Sequence, residues 1–478
     1  MRLRLTASGI APRAIAPAKI AATGLVGMGL ALAPNAARAS GYHIDEHDAR
    51  ATGRAGAVIA STNNATAVYY NPAGIAELDG LNVNLGGTLV RPSGEFRSAS
   101  DGVTTEADTQ TFVLPQLFAS WRAAELVSIG IGAYAPFGLA LKWPESSPGR
   151  TNVREADLQT FYISPTLALN LSRGIPGLSL GAGIDLVPAS VRLERDILFG
   201  SDSASVALSG DAFGVGARVG LMYRPPALPE VAIGVSYRSP VKLDFDGDVD
   251  FDAAQPYRSA LPPDGAAETS VTLPQAVNVG VAFSPVPELQ LELDGNWRGW
   301  SSYDKLEIEL PDGSVDAEAK DWNDSLTLRI GGEYTIEQRW AVRAGAIWDE
   351  TPVPAERLDF QVPDANRVDL TLGFGARVTE QLTIDLGLLY VLPQKRATAM
   401  ANPLEPPVKG RFAIDVWVVG LSVGLELETR PKPAIEPAPP NELQPLGPPP
   451  AAASVDPNRP CDGPREARVA LDDAPCRR

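Results

Sequence analysis

Histidine and cysteine are almost absent, two of each in 478 residues. His43 and His47 stand near the N-terminus and Cys461 and Cys476 near the C-terminus, so the long middle of the chain has neither. A disulfide framework for the main body is thereby excluded. A metal site built on two thiols with no imidazole nearby is not expected either, nor is any other cofactor. In an oxidising compartment Cys461 and Cys476 are expected to close one small loop, the alternative being two free thiols in an unpacked tail. Cations are in deficit as well, 41 Lys and Arg against 58 Asp and Glu, for a formal net charge of -17. Nucleic acid is therefore not an expected partner, because phosphate binding needs clustered Lys and Arg.

Long apolar runs are the third absence. At the N-terminus Arg2, Arg4, Arg13 and Lys19 precede a small apolar stretch, Ile20 to Ala33, that ends near Ala37-Arg38-Ala39. This pattern predicts a secretory signal over residues 1–39, with a mature chain starting at Ser40. Cleavage removes Arg2, Arg4, Arg13, Lys19 and Arg38 and no acid, so the net charge falls by five from -17 to -22. Beyond the signal no segment reaches the roughly 18 to 20 uninterrupted apolar residues of a membrane-spanning helix. A soluble exported protein and a β-barrel both satisfy that condition, and periodicity decides between them.

What is present, from Leu81 to Glu428, is alternation. Val368, Leu370, Leu372, Phe374, Ala376 and Val378 are separated by Asp369, Thr371, Gly373, Gly375 and Arg377. Period two means strands with one greasy and one polar face. About fourteen such segments start near Leu81, Gln110, Glu125, Gln159, Gly177, Gly210, Pro229, Thr269, Pro287, Trp322, Gln338, Asn366, Glu380 and Arg411, an even count as bacterial barrels require. The connections alternate between long polar stretches, such as Pro92–Thr109, Pro136–Leu158 and Asp244–Glu268, and tight turns, such as Arg122–Ala124 and Ser284–Val286. A sandwich has no reason to sort its loops by parity; a barrel puts tight turns in the periplasm and long loops outside.

The expected fold is thus all-β, a transmembrane antiparallel barrel in the outer membrane. Asp185, Arg218, Glu292, Asp294, Arg329, Arg343 and Asp385 fall within strands and should face the lumen, since a basic side chain in lipid costs about 2–4 kcal/mol at the midplane. Trp121, Trp297, Trp340, Trp348, Tyr223, Tyr237, Tyr334 and Tyr390 lie near segment ends, as girdle aromatics do. Near Trp417 the apolar phase slips by one residue, from Ile414 and Val416 to Val419 and Leu421, which reads as a β-bulge. From residue 429 to 478 the composition turns to Pro, Glu and Ala, an extended periplasmic tail.

Residues 40–80 read differently. The stretch GRAGAVIASTNNATAVYYNPAGIAEL, from Gly53, resembles the N-terminal hatch of the FadL/TodX family of outer-membrane transporters. YAPFGLALKW from Tyr134, DWNDSLTLRIGGEY and VPDANRVDLTLGFGARV extend the resemblance over about Ser40 to Glu428. The resemblance implies a fourteen-stranded barrel whose lumen is plugged by residues 40–80. It also implies passive uptake of long-chain fatty acids or of aromatic or aliphatic hydrocarbons, by external capture, hatch gating and lateral release. Asn71, Pro72 and Ala73 would belong to the gating element, and Ser40, Gly41 and Tyr42 to the N-terminus that reaches the ligand pocket. Phe137, Leu139, Leu141 and Trp143 would form the capture groove, ordinary loop packing being the alternative. Asn63 and Asn64 stand where family members often carry acids, and no motif places a carboxylate-binding cation. The expected partners are a hydrophobic small molecule and outer-membrane lipid and lipopolysaccharide, with the protein a monomer.

Enzyme activity is not expected. Gly177-Leu178-Ser179-Leu180-Gly181 and Gly420-Leu421-Ser422-Val423-Gly424 match G-x-S-x-G, but neither sits at a strand-to-helix elbow. The cluster His43, Asp45, Glu46, His47, Asp48 reads as a polar N-terminal surface rather than a metal site. The alternating acids Asp244 to Asp252 read as a solvated rim, or as a place where a divalent cation is shared with lipopolysaccharide. Competing with the transport reading are a structural or adhesin-like barrel, suggested by the Pro-rich tail, and a porin for polar solutes.

Overall fold

The computed structural model describes residues 41–398 and 408–427. The expected signal, Ser40, and the tail with Cys461 and Cys476 lie outside the described residues.

Alternation closes the main body into a ring of fourteen antiparallel strands. They are β1 Leu81–Ser98, β2 Phe112–Ala124, β3 Val127–Tyr134, β4 in three pieces (Glu155–Thr160, Tyr162–Ile163, Thr166–Asn170), β5 Leu178–Phe199, β6 Asp202–Tyr223, and β7, split into Val231–Arg238 and Val241–Asp252. There follow β8 (Gly265–Leu273 and Ala276–Val286), β9 Leu289–Arg298, β10 Ser325–Ile336, β11 Trp340–Asp349, β12 Arg367–Arg377, β13 Leu382–Ala397 and β14 Gly410–Leu427. β14 returns to β1 in unbroken register, from Gly410 opposite Ser98 to Leu427 opposite Leu81. Closure satisfies the backbone where hydrocarbon offers no partner. Every segment expected from the sequence corresponds to one of these strands.

The faces are inverted relative to a soluble protein. On β12, Leu370, Leu372 and Phe374 are exposed on the outer surface while Asp369 and Thr371 are buried inside. Asp185, Arg218, Glu292, Asp294, Arg329, Arg343 and Asp385 are all buried in the lumen, as their strand parity requires. Trp121, Trp340, Trp348, Tyr237 and Tyr334 are exposed outside, where girdle aromatics belong.

Two expectations need correction. The parity of connection lengths fails between β5 and β6, two 22-residue strands joined directly across Gly200 and Ser201. Likewise much of Asp244–Glu268 is strand, with Asp244, Asp246, Asp248 and Asp250 on the outside and Leu243, Phe245, Val249 and Phe251 buried. Polar stretches at the end away from the tight turns extend the ladder instead of leaving it, because period two persists through them. The second correction concerns Trp417. β14 keeps its register with β1 throughout, and the irregularity lies opposite, where β13 slips between Val391 and Gln394. What changes in β14 is chemistry: Ile414, Val416 and Val418 face an apolar part of the lumen, and Val419, Leu421 and Val423 face lipid.

Inside the ring runs the N-terminal segment, with short helices α1 (Ala49–Thr52) and α2 (Ala67–Tyr70) and a 3-10 turn over Pro72–Glu77. Asp48 caps α1 through a bond from Arg50 N. Helices this brief have little stability of their own and depend on the wall around them.

The inverted faces make a direct forecast. Leu293, 59% exposed at the middle of β9, faces lipid, so Leu293→Arg should destabilise the barrel by about 2–4 kcal/mol. The urea midpoint of refolding into lipid vesicles checks it; an unchanged midpoint would contradict the assigned face.

Candidate functional site

The lumen of a charged barrel must balance its charges without bulk water, and the N-terminal segment supplies the complements. Asp45 receives Arg298 Nη2 at 2.6 Å and is also bonded by Arg329 and, at 2.7 Å, by the Tyr69 hydroxyl. Burial alone would raise its carboxyl, but the guanidiniums of Arg298 and Arg329 hold it well below the usual carboxylate range. Arg50 donates twice to Glu333, at 2.9 and 2.6 Å, and Arg343 binds the same carboxylate. Asp294 accepts Val58 N at 2.9 Å and Ile59 N at 3.2 Å, while Glu292 accepts Ala60 N at 2.6 Å. Asn64 donates to Asp48 Oδ2 at 2.9 Å, so it supports the cap, and Asn63 is exposed.

His47 and Asp48 are thus lumen groups, completely or nearly buried, and the polar surface expected for residues 43–48 is corrected accordingly. Burial pushes the His47 imidazole down to about 4, so it is neutral at physiological pH.

Asn71, Pro72 and Ala73 sit deep in the ring. The Asn71 side chain donates to Ile59 O at 2.9 Å and Leu221 O at 3.0 Å and accepts from Ala73 N at 3.2 Å. It ties the segment to β6 while capping its own 3-10 turn. The wall makes room with glycine: a Cβ on Gly220 would meet Asn71 Oδ1 at 2.1 Å, and one on Gly181 would meet the Pro72 carbonyl carbon at 2.3 Å. The serine motif around Gly181 is therefore wall against which the segment packs.

Above the segment lies a cavity of about 750 Å³, within the size range of small-molecule sites. One wall is apolar: Val90 of β1, Leu389 and Val391 of β13, and Ile414, Val416 and Val418 of β14. Opposite are Leu139, Leu141 and Leu158, carried by the pairing of Gly138–Lys142 with Glu155–Thr160. Gly41 and Tyr42 also line the cavity, and Gly41 N donates to Asp364 Oδ2 at 3.1 Å. Tyr42 is buried among Trp300, Trp322, Phe137 and Tyr303, with the Trp300 centroid 4.7 Å away.

The ring wall is incomplete beside this cavity. β3 pairs with β2 only as far as Leu117 opposite Ala133, and ends at Tyr134. Its continuation bends inward, where Ile44 N binds Pro136 O at 2.8 Å and Gly138 N binds Tyr42 O at 3.1 Å. Among the described residues, 112–116 of β2 therefore have no strand partner on that side. The cavity lining passes through this window, reaching Val113, Pro115 and Phe161 on the outer face.

Of the four residues assigned to a capture groove, Phe137, Leu139 and Leu141 line the cavity. Trp143 is buried in a loop cluster instead, with its Nε1 donating to Phe360 O at 3.0 Å and its rings against Phe360 and Phe412. Sequence reasoning missed the apolar wall on β13 and β14. Its signal is the lapse of alternation at Leu388-Leu389-Tyr390-Val391 and at Val416 to Val419, where both faces are apolar.

Residues 30–427 match the model of a family described as outer membrane protein transport protein (OMPP1/FadL/TodX). A long-chain fatty acid transport protein of Escherichia coli O6:H1 is 23% identical over 416 residues, covering 77% of this chain and 90% of the relative. Outer membrane protein P1 of Haemophilus influenzae is 24% identical, with 78% and 90% covered. Among solved structures, a Pseudomonas aeruginosa FadL homologue superposes with a TM-score of 0.74 at 18% identity, covering 81% of this chain and 100% of that one. The toluene transporter TodX of Pseudomonas putida superposes with a TM-score of 0.65 at 17% identity, covering 82% and 100%. These structural likenesses establish the shared barrel fold.

The seat of Asn71 can be tested by filling it. Gly220→Val should displace Asn71 and Pro72 while the ring still forms, and hydrogen exchange of the amides of residues 58–75 should accelerate by at least about tenfold. Unchanged protection would show that the seat is not what holds the segment.

Proposed function

The chain belongs to the OMPP1/FadL/TodX family of outer membrane transport proteins, and from that premise we propose that it takes up hydrophobic compounds across the outer membrane without an energy source. The observation that carries this reading is the continuity between an apolar cavity and a window in the barrel wall beside Ala135 to Phe137. A greasy solute dissolves poorly in a water-filled pore, and a sideways exit delivers it to lipid.

In this reading Phe137, Leu139 and Leu141 receive the ligand, and Gly41 and Tyr42 form the inner end of its pocket. Residues 40–80 act as the hatch, with Asn71, Pro72 and Ala73 as the element whose release accompanies passage. Trp143 contributes by holding the loop cluster in place through its bond to Phe360. The chain functions as a monomer in contact with lipid and lipopolysaccharide, and it carries out no covalent chemistry.

Uptake and conductance separate this reading from the alternatives. Deleting the gene should lower uptake of at least one of radiolabelled oleate, toluene and decanol; unchanged uptake of all three would favour a structural barrel. In planar bilayers the purified protein should show no large steady pore, and such a pore would overturn the plugged-transporter reading in favour of a polar-solute porin. Val391→Trp or Val416→Trp should fill the cavity from the wall and reduce uptake by about tenfold at unchanged barrel yield.

A further inference from the structure

The charged groups on the cavity lining are unevenly divided. Six acidic residues line it, Glu46, Asp364 and Asp369 within the lumen and Asp108, Asp157 and Asp211 toward its open outer side, against one guanidinium-bearing residue, Arg367. That cation is already engaged: its Nη2 lies 2.9 Å from Asp349 Oδ2 and its Nε 3.3 Å from Asp369 Oδ2. The Nε contact is poorly aligned for a hydrogen bond, yet a ligand anion approaching it would meet Asp369 at the same range. Arg396, close by, donates to the main-chain oxygens of Asp364 and Val353, at 2.8 and 2.7 Å. Burial, reinforced by Arg298, depresses the His43 imidazole well below its ordinary value, so this group brings no positive charge.

A second observation points the same way. Asp369 Oδ1 is buried and has no hydrogen-bond partner. A buried acceptor left unmatched is unfavourable, and a donor on a bound molecule would relieve it. The Tyr42 hydroxyl is likewise buried without a partner and can serve as donor or acceptor, so it does not discriminate. Negative charge on these acids in a partly desolvated site opposes an anion that finds no free cation.

We propose that the cavity takes a hydrophobic molecule whose polar end is an uncharged or cationic hydrogen-bond donor, an alcohol or an amine, and discriminates against a carboxylate. The proposal rests on the uptake reading above and narrows it. Specificity here comes from an unfavourable charge placed against the wrong ligand as much as from apolar fit to the right one.

The test is titration calorimetry of the purified full chain at pH 7.5 with decanol, decylamine and decanoate, three ligands with the same apolar tail. Decanol and decylamine should bind, and decanoate should bind at least about tenfold more weakly. Decanoate binding as tightly as decanol would overturn the proposed selectivity and leave the hydrophobic cavity standing. Binding of none of the three would overturn the cavity reading together with the selectivity built on it. Asp369→Asn should narrow the gap between decanol and decanoate by about tenfold, with the heat-modifiable barrel band retained. An unchanged gap would show that these carboxylates do not set the preference. If that variant fails to fold, Asp364→Asn carries the same test.

Discussion

One carboxylate held between two guanidiniums organises the interior. A strand wall in lipid must turn its polar side inward, and here that rule places Arg298 and Arg329 on neighbouring strands with their charges in a closed lumen. Left alone they would be buried and unpaired, a state worth several kcal/mol of destabilisation. Asp45 meets both, and in doing so it fixes the height at which the N-terminal segment enters the upper lumen. Gly41 and Tyr42 then fall where they line the cavity, and Ile44 where it bonds the inward bend at Pro136. The cavity, the window and the N-terminal segment thus share a single electrostatic anchor.

Much of the barrel was legible because period two reports faces directly. The presence of each strand and the lumen position of Asp185, Arg218, Glu292 and Asp385 followed from parity alone. Parity says nothing, however, about where a strand leaves the membrane, so the overhanging hairpin of β5 and β6 and the outer half of β7 look like connection in the sequence. It also fails where both faces are apolar. Ile414 and Val416 looked like a slip in phase, when they are lumen residues that happen to line the cavity.

The site was less legible than the fold. The string around Asn71 is contiguous, and its resemblance to a family of transporters made it visible. Cavity residues come from β1, β13, β14, the loop after β3 and the segment before β12, with no spacing that could bring them together on paper. The cluster from His43 to Asp48 misled for a related reason: its charges mark a surface in a soluble protein, and only the ring that encloses them turns that surface inward. Asp45 carried no signal of its own, because its arginine partners lie more than 250 residues away in sequence.

The glycines that receive the N-terminal segment have a consequence for divergence. At Gly181 the wall meets the segment backbone to backbone, at Gly220 it meets the Asn71 and Pro72 side chains, and at Gly53 and Gly373 the two main chains nearly touch. Such a fit constrains where side chains must be missing and leaves their identity elsewhere loosely specified. Sequence drift can therefore run far along the strands, so long as each outward residue stays apolar, while a handful of positions tolerate not even a methyl group. A lineage of such barrels could exchange most of its letters and keep the same inner segment seated in the same place.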